Sequence, residues 1–288
     1  MTLERQNDPE QIELLAAQRV LYSRAKRVHL FKILGTLVLA AVAPIVLHLV
    51  PAWGPSLGAV AGLCIFVSRI ALDGFEQRLQ RRAALVQEEF DTRVLGLPWN
   101  RALGRRVAHE DVTAAARKYS DRSDLRDWYP IPQAAGIARV LICQRTNAVW
   151  GRRQHVGYGW FIAGAGVAWT VVGILIAIAT DATLAEYLVA ILLPSLPALL
   201  DASDRAKGHL SASTARGELE AAIDDDLGTP GSSLDNCRHF QDQIFHLRAN
   251  APQIPDWWYR LFRKTYDADA TAAADAISNE LRHRNKNG

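Results

Sequence analysis

The chain has 288 residues, a formal net charge of +3, and a composition that is 49% hydrophobic and 22% charged. These averages hide a strong segregation, because apolar residues are concentrated in residues 33–68 and 156–200 while the other segments are highly charged. A soluble domain spreads its apolar residues periodically, so that each helix or strand presents a polar face to water. The distribution therefore argues against an ordinary soluble globular protein and favours a membrane protein.

The cysteines do not indicate a metal centre. Cys64, Cys143 and Cys237 lie far apart and form no CxxC pair. This spacing supports neither a zinc site nor a disulfide framework, and it favours a reducing compartment. The first apolar run also begins after about thirty residues, which is too late for a cleavable signal peptide.

The first apolar block predicts two membrane-spanning helices. No Asp, Glu, Lys or Arg occurs between Lys32 and Arg69, and this run is too long for one span of roughly 20 residues. The stretch "LVPAWGPSLG" (49–58) contains two prolines and two glycines, which are typical of a tight turn. We therefore expect a hairpin of helix Phe31–Val50 and helix Leu57–Leu72.

The second apolar block repeats this plan. Residues 156–180 carry no charge, Asp181 begins a short polar break, and a second apolar segment ends at Asp201. Glu186 lies near the start of that segment, where a position at the membrane surface tolerates a carboxylate. The alternative for either block is a helical hairpin buried in a soluble core. This alternative is stronger for the second block, because its second apolar segment is shorter.

Basic residues flank every predicted span on the same side, and the two far-side turns contain no Lys or Arg. By the positive-inside rule, both termini and the long middle segment face the cytoplasm. The predicted organisation begins with a cytoplasmic N-terminal helix (1–30) and a first transmembrane hairpin (31–72). A cytoplasmic helical segment (73–155) follows, then a second transmembrane hairpin (156–200) and a cytoplasmic C-terminal helical region (201–288).

Helical signals dominate the charged segments. Asp8 suits an N-cap and Pro9 the first helical position, and the apolar residues that follow recur at spacings of three and four. The helix that starts here is expected to run without a break into the first span. No segment shows convincing period-two alternation, so the predicted fold class is an all-α membrane protein with four spans.

The sequence contains no recognisable catalytic signature. It lacks a P-loop, an HExxH motif and a GxSxG nucleophile elbow, each of which would mark a particular chemistry. His239, Asp242 and His246 share one helical face, but such a set on a solvated helix is more often polar surface than a metal site. We expect no catalytic residues, no metal and no cofactor.

Two aromatic motifs are the candidate ligand-binding residues. "RDWYPIP" (126–132) and "IPDWWYRLFRK" (254–264) each combine Asp, Trp and Tyr with arginines and a proline. These side chains could simply dock helices on one another or lie at the lipid headgroups. They could instead form a pocket in which rings stack on a base and arginines bind phosphates. The candidates are Arg126, Asp127, Trp128, Tyr129, Arg145, Asp256, Trp257, Trp258, Tyr259 and Arg263.

The predicted spans contain small residues but no ionisable residue at their centres, so no ion or substrate path is marked within one chain. Small residues allow close packing of helices in lipid, either within the chain or between copies. The glycines expected to serve this packing are Gly58, Gly62, Gly164, Gly166 and Gly173.

The order of these features resembles the SMODS-associated four-transmembrane effector family. The resemblance depends on "ERQN", "LLAAQRVLYSRAKR", "RDWYP", "ICQRTNAVW", "RGELE" and "PDWWYRLFRK", with the two hairpins between them. It extends over nearly the whole chain, and none of these motifs is catalytic.

The resemblance implies a bacterial antiphage effector of cyclic-oligonucleotide (CBASS-type) signalling, located in the inner membrane. Such an effector is expected to form a pore or disrupt the membrane, to assemble into homo-oligomers on activation, and to kill the infected cell. Its expected partners are the lipid bilayer, a cyclic oligonucleotide and a nucleotidyltransferase that makes it, and DNA is not among them. The alternative is a non-enzymatic membrane scaffold or sensor that acts through a partner protein.

Overall fold

The computed structural model describes residues 3–229 and 231–287, and in these ranges it contains helices and no strand. The expectation of an all-α chain is therefore confirmed. After a 3₁₀ turn at Leu3–Asn7, the α-helices are α1 (Pro9–Leu49), α2 (Gly54–Val67), α3 (Asp73–Leu95), α4 (His109–Ala116), α5 (Gly136–Ala179), α6 (Leu184–Tyr187), α7 (Leu193–Gly228), α8 (Leu234–Asn250) and α9 (Asp256–Asn287).

The first predicted hairpin consists of two long rods. Helix α1 is continuous over 41 residues, about 60 Å at 1.5 Å per residue. Helices α2 and α3 join without a break through a π-helical turn at Ser68–Leu72, and the connection between the rods is a 3₁₀ turn at Pro51–Trp53. Asp8 precedes α1, but its carboxylate accepts from Arg5 at 2.7 Å and makes no capping bond.

The second hairpin is formed by α5 and by the continuous run α6–α7. Both helices are long and apolar enough to cross a membrane, and only 6% and 11% of their most apolar windows is buried within the chain. A helix from the core of a soluble protein would be mostly buried, so the single chain gives no support to the buried-hairpin alternative. The first hairpin exposes Phe31, Ile45 and Leu63 in the same way, and its two spans remain a prediction.

The carboxylate of Glu186 has a local structural role at the start of the fourth segment. It accepts from the Thr183 backbone N–H at 2.7 Å and from the Thr183 hydroxyl at 2.8 Å, which completes a capping box at the start of α6. A π-helical turn at Leu188–Leu192 follows. This wider turn ends two residues before Pro194, whose ring would clash with a carbonyl of the preceding turn in a regular helix.

The predicted packing glycines differ in their surroundings. A Cβ at Gly173 would lie 3.1 Å from Ile191 Cγ2, so this glycine allows α5 to approach the fourth segment closely. At Gly58, Gly62, Gly164 and Gly166 a Cβ would meet nothing within 4 Å. Packing between copies at these four positions therefore stays a prediction.

A hydrophobic core lies in the charged half of the molecule, where α1, α3, α5, α7 and α8 pack together. Leu15, Phe90, Leu141 and Ile223 belong to this core and are almost completely inaccessible to solvent. The core fixes the ends of the long rods relative to one another, because each rod passes from this core into an apolar segment without interruption.

Candidate functional site

A cavity of about 590 Å³ lies in the charged half of the molecule, within the size range of small-molecule sites. Its wall is built from α1, α3, α5, α7 and α9, together with the end of α8, residues 251–254 and the loop 124–131. The cavity thus joins the two motifs that the sequence singled out, although more than a hundred residues separate them along the chain.

The loop that carries "RDWYP" is held by the amino-terminal 3₁₀ turn. Gln6 exchanges two hydrogen bonds with the backbone of Tyr129, at 2.8 and 3.0 Å. Asn7 binds Asp127 in the same way, through the Asp127 carboxylate at 2.8 Å and its N–H at 2.9 Å. Asp127 adopts a left-handed backbone conformation, with φ of 51°, which Asp tolerates better than most residues. The "ERQN" motif therefore shapes this side of the cavity.

Asp91 anchors the cavity wall to the core. Its carboxylate is completely buried, and it accepts from the Tyr129 hydroxyl at 2.9 Å and from Gln241 Nε2 at 3.0 Å. It also forms an ion pair with Arg248, which lines the cavity. One buried carboxylate thus orients a ring and a guanidinium that both reach the cavity.

The cationic side chains of the cavity are only partly neutralised. Lys26 pairs with Asp256 at 2.6 Å and Arg263 with Asp124 at 3.1 Å. Among the described residues, three further arginines of the wall have no carboxylate within 4.0 Å: Arg19, Arg126 and Arg216. An unneutralised cation next to a cavity favours an anionic ligand.

Arg216 is the most deeply buried of these three, with 7% of its surface exposed. Its guanidinium donates to the carbonyls of Ala212 at 3.0 Å and Leu247 at 3.2 Å, and neither of these is charged. Burial, and the nearby charge of Arg248, lower the pKa of Arg216 to about 10. Gly151 leaves space for this side chain, because a Cβ there would lie 2.5 Å from Arg216 Nε.

Arg19 connects the two aromatic motifs. Its guanidinium lies 4.3 Å from the ring centre of Tyr259 and 5.4 Å from that of Trp128, and it donates to the Tyr259 hydroxyl. Its Nε has no hydrogen-bond partner within the described ranges. The aromatic faces therefore position a guanidinium that keeps a donor available.

Several other buried polar atoms of the wall also have no partner among the described residues: Tyr22 Oη, Gln154 Nε2, Gln154 Oε1 and Arg248 Nη2. Gln154 is 1% exposed. A buried polar atom left without a hydrogen bond costs roughly 1–3 kcal/mol, so a group of them around one cavity points to a polar ligand.

The structure brings together most of the predicted ligand-binding residues. The residues of this set that line the cavity are Arg126, Asp127, Trp128, Tyr129, Asp256, Tyr259 and Arg263. Arg145 lies elsewhere, paired with Glu220 at 3.2 Å and Asp224 at 2.5 Å.

The two adjacent tryptophans are also placed away from the cavity. Trp257 and Trp258 pack on Phe161 of α5, with ring centres 5.6 and 5.3 Å away. Trp258 also contacts Tyr158 at 5.3 Å. These rings dock α9 on α5 next to the apolar segment.

Five polar residues of the cavity wall were not predicted from the sequence: Gln18, Arg19, Gln154, Arg216 and Arg248. Their charged and amide groups lie on amphipathic helices, where such groups usually face water. A usable signal was present in α1, because Gln18, Tyr22 and Lys26 recur every four residues along one face.

A histidine pair connects α5 and α7 next to the cavity. The Nδ1 atoms of His155 and His209 lie 2.9 Å apart, so one ring donates and the other accepts, and the bond is lost when both Nδ1 atoms carry a proton. Burial lowers the pKa of His209 to about 3, and the charges of His29, Arg205 and Arg216 act in the same direction. Burial likewise holds the pKa of His155 well below its usual value.

This pair predicts a stability loss in mild acid. The unfolded chain binds protons at these histidines near pH 6.5 while the native chain does not, so stability is complete above about pH 6.5 and falls below it, by up to about 1.4 kcal/mol per pH unit for each histidine. Thermal unfolding of the detergent-solubilised protein from about pH 8 to about pH 5 measures this slope. The His209→Gln variant should reduce this slope by about half, and the exposed-residue control His239→Gln should leave it unchanged. Identical slopes in all three proteins would contradict the assignment.

Comparison with known proteins gives a consistent result over the full chain. Residues 2–277 match the family model of the SMODS-associating 4TM effector domain. A protein of Bacillus cereus (strain VD146) named "Probable CBASS effector molecule" is 25% identical over 282 residues, which cover 92% of this chain and 94% of that protein. No solved structure matches the chain. The expected resemblance is therefore confirmed, and the chain belongs to the SMODS-associating 4TM effector family.

Proposed function

We propose that this chain is a membrane effector of a bacterial antiphage system, which binds a cyclic oligonucleotide in the cavity and then permeabilises the inner membrane, killing the infected cell. The observation that carries the proposal is Arg216, a buried guanidinium that has no carboxylate within 4.0 Å among the described residues, at the wall of a cavity lined by aromatic rings. Membership of the family, and the name of the Bacillus cereus relative, support the same assignment.

The cavity lining matches the two chemical parts of a nucleotide. Arginines bind phosphate oxygens through charge-assisted hydrogen bonds, and Arg19, Arg216 and Arg248 supply donors on three different helices. Bases stack on aromatic faces. The amide of Gln154, whose donor and acceptor have no partner among the described residues, can bind a base edge. A ligand with alternating phosphates and bases would use both kinds of group.

Residues that line the cavity lie on the same helices as the apolar segments proposed to cross the membrane. Gln154 and His155 line the cavity at the point where α5 enters its uncharged segment, residues 156–180. Lys26 of α1 lies only five residues before Phe31, and Arg216 belongs to the same continuous helix as the fourth segment. A ligand that draws these helices together would tilt or rotate the apolar segments to which they are rigidly joined.

The proposed arrangement has four spans, with both termini and residues 73–155 in the cytoplasm, where a nucleotidyltransferase would supply the ligand. The spans carry no central charge, so a permeable state would need several copies or a rearrangement. Gly58, Gly62, Gly164 and Gly166, which have open space beside them in the single chain, support assembly through helix faces.

Dye entry into cells tests the proposed function. Cells that express the chain with an active cyclic-oligonucleotide synthase should admit a membrane-impermeant dye, and cells with an inactivated synthase should exclude it. No dye entry in either strain, with the chain shown to be inserted in the membrane, would favour a scaffold or sensor that acts through a partner protein.

A further inference from the structure

A second groove, of about 440 Å³, lies between α1 and α3 in the first hairpin. Arg24 and Arg27 lie toward its charged end, and Phe31, Leu72 and Phe75 form its apolar floor. The α1 residues recur at helical spacing and so share one face of the helix. The groove is separate from the cavity proposed for the oligonucleotide, and it shares no residue with it.

The two arginines of the groove have no hydrogen bond or ion pair among the described residues. The nearby carboxylates are already engaged elsewhere, since Lys32 binds Glu76 at 2.7 Å and also pairs with Asp73. No acidic residue occurs in the sequence between Glu13 and Asp73. The groove therefore has an uncompensated positive charge.

The floor of the groove is strongly apolar and open. Phe31 is 70% exposed and Phe75 46% exposed, and Phe31 begins the first predicted span. At about 1.5 Å per residue, the Cα atoms of Arg27 and Arg24 lie roughly 6 and 10 Å beyond Phe31 along the helix. The headgroup layer extends about 5–8 Å beyond the hydrocarbon on each side of a bilayer. The Cα atom of Arg27 therefore lies within this layer, and that of Arg24 lies just beyond it, where a long arginine side chain can reach toward the lipid phosphates.

From this combination we propose that the groove binds the headgroup of an anionic phospholipid, with the phosphate on Arg24 and Arg27 and an acyl chain along Phe31 and Phe75. Basic pockets at the cytoplasmic ends of spanning helices suit such headgroups. The lipid would bridge α1 and α3, which are the two rods of the first hairpin. The proposal depends on the proposed insertion of residues 31–72 in the membrane.

Retention of lipid by the full chain, measured by native mass spectrometry after reconstitution in mixed phosphatidylglycerol and phosphatidylcholine, tests this site. The wild-type protein should retain phosphatidylglycerol preferentially. The Arg24→Gln and Arg27→Gln variants should each lower that preference about fivefold, as expected for about 1 kcal/mol per arginine. The matched control is Arg78→Gln, which removes an exposed arginine of α3 that does not line the groove and should leave the preference unchanged.

Three results would overturn the inference. Equal retention of both lipids would indicate ordinary bulk lipid, and an equal loss in the Arg78→Gln variant would indicate only general surface charge. Displacement of the lipid by millimolar inorganic phosphate would indicate a free-phosphate site. Alkaline extraction of the membranes shows whether the chain is inserted. A chain that is not inserted would contradict both this inference and the proposed function, whereas an inserted chain that gives any of the three results would contradict this inference alone.

Discussion

Replacement of Arg216 by methionine should abolish the ligand-dependent dye entry while leaving the ligand-free protein as stable as wild type, or more stable. The functional loss follows because the guanidinium is the buried donor proposed to meet a phosphate. Removal of one partner from a buried charge pair costs about 2–5 kcal/mol, so ligand affinity should fall at least roughly 30-fold.

The free energy of unfolding without ligand should stay the same or rise, because the guanidinium of Arg216 is buried and has no carboxylate within 4.0 Å in the part of the chain that the structure describes. Methionine has a volume similar to that of arginine, so it can fill the same space. The Leu247 carbonyl would lose its hydrogen bond from Arg216 but would still accept one from the Ala251 N–H at 3.2 Å. Thermal unfolding without ligand and ligand-induced stabilisation together measure both effects. Arg145→Met is the matched control, since Arg145 pairs with Glu220 and Asp224 away from the cavity. A normal ligand response of Arg216→Met would show that this arginine does not bind the ligand.

Replacement of Asp91 by asparagine should destabilise the protein by about 3–5 kcal/mol, because it leaves the charge of Arg248 buried without a partner. Asparagine keeps an acceptor for Tyr129, but its amide hydrogens would face the donors Gln241 and Arg248. The unfolding temperature of the solubilised protein should therefore fall strongly.

Two further variants make this prediction specific. The neighbouring carboxylate Glu89 is also buried, but its partners Arg93 and Arg106 are 41% and 52% exposed. Their charges stay solvated in Glu89→Gln, so this variant should cost clearly less than Asp91→Asn. The double variant Asp91→Asn/Arg248→Met should regain much of the lost stability, since it removes the unpaired charge. Equal losses in the Asp91 and Glu89 variants would contradict the role assigned to the Asp91–Arg248 pair.

The sequence was sufficient for the helices and for much of their organisation. The uncharged run after Lys32 and the spacing of apolar residues predicted a rod through the first span, and α1 is continuous from Pro9 to Leu49. These features are local, since helical period and charge depletion can be seen within one segment.

The cavity depended on contacts that no local pattern contains. Asp91 meets Tyr129 across 38 residues and Arg248 across 157. A lone Asp in a helix is most often exposed, so its burial could not be anticipated. The positions of Trp257 and Trp258 were partly foreseeable, because Asp256, Tyr259 and Arg263 share one helical face while the two tryptophans lie on others.

The most direct test of the central claim is release of a trapped dye from vesicles that contain only the purified chain. We predict that a cyclic oligonucleotide made by an active synthase triggers release, and that vesicles with Arg216→Met stay sealed. Absence of release by the wild-type chain, with insertion and ligand binding both demonstrated in the same vesicles, would contradict the account.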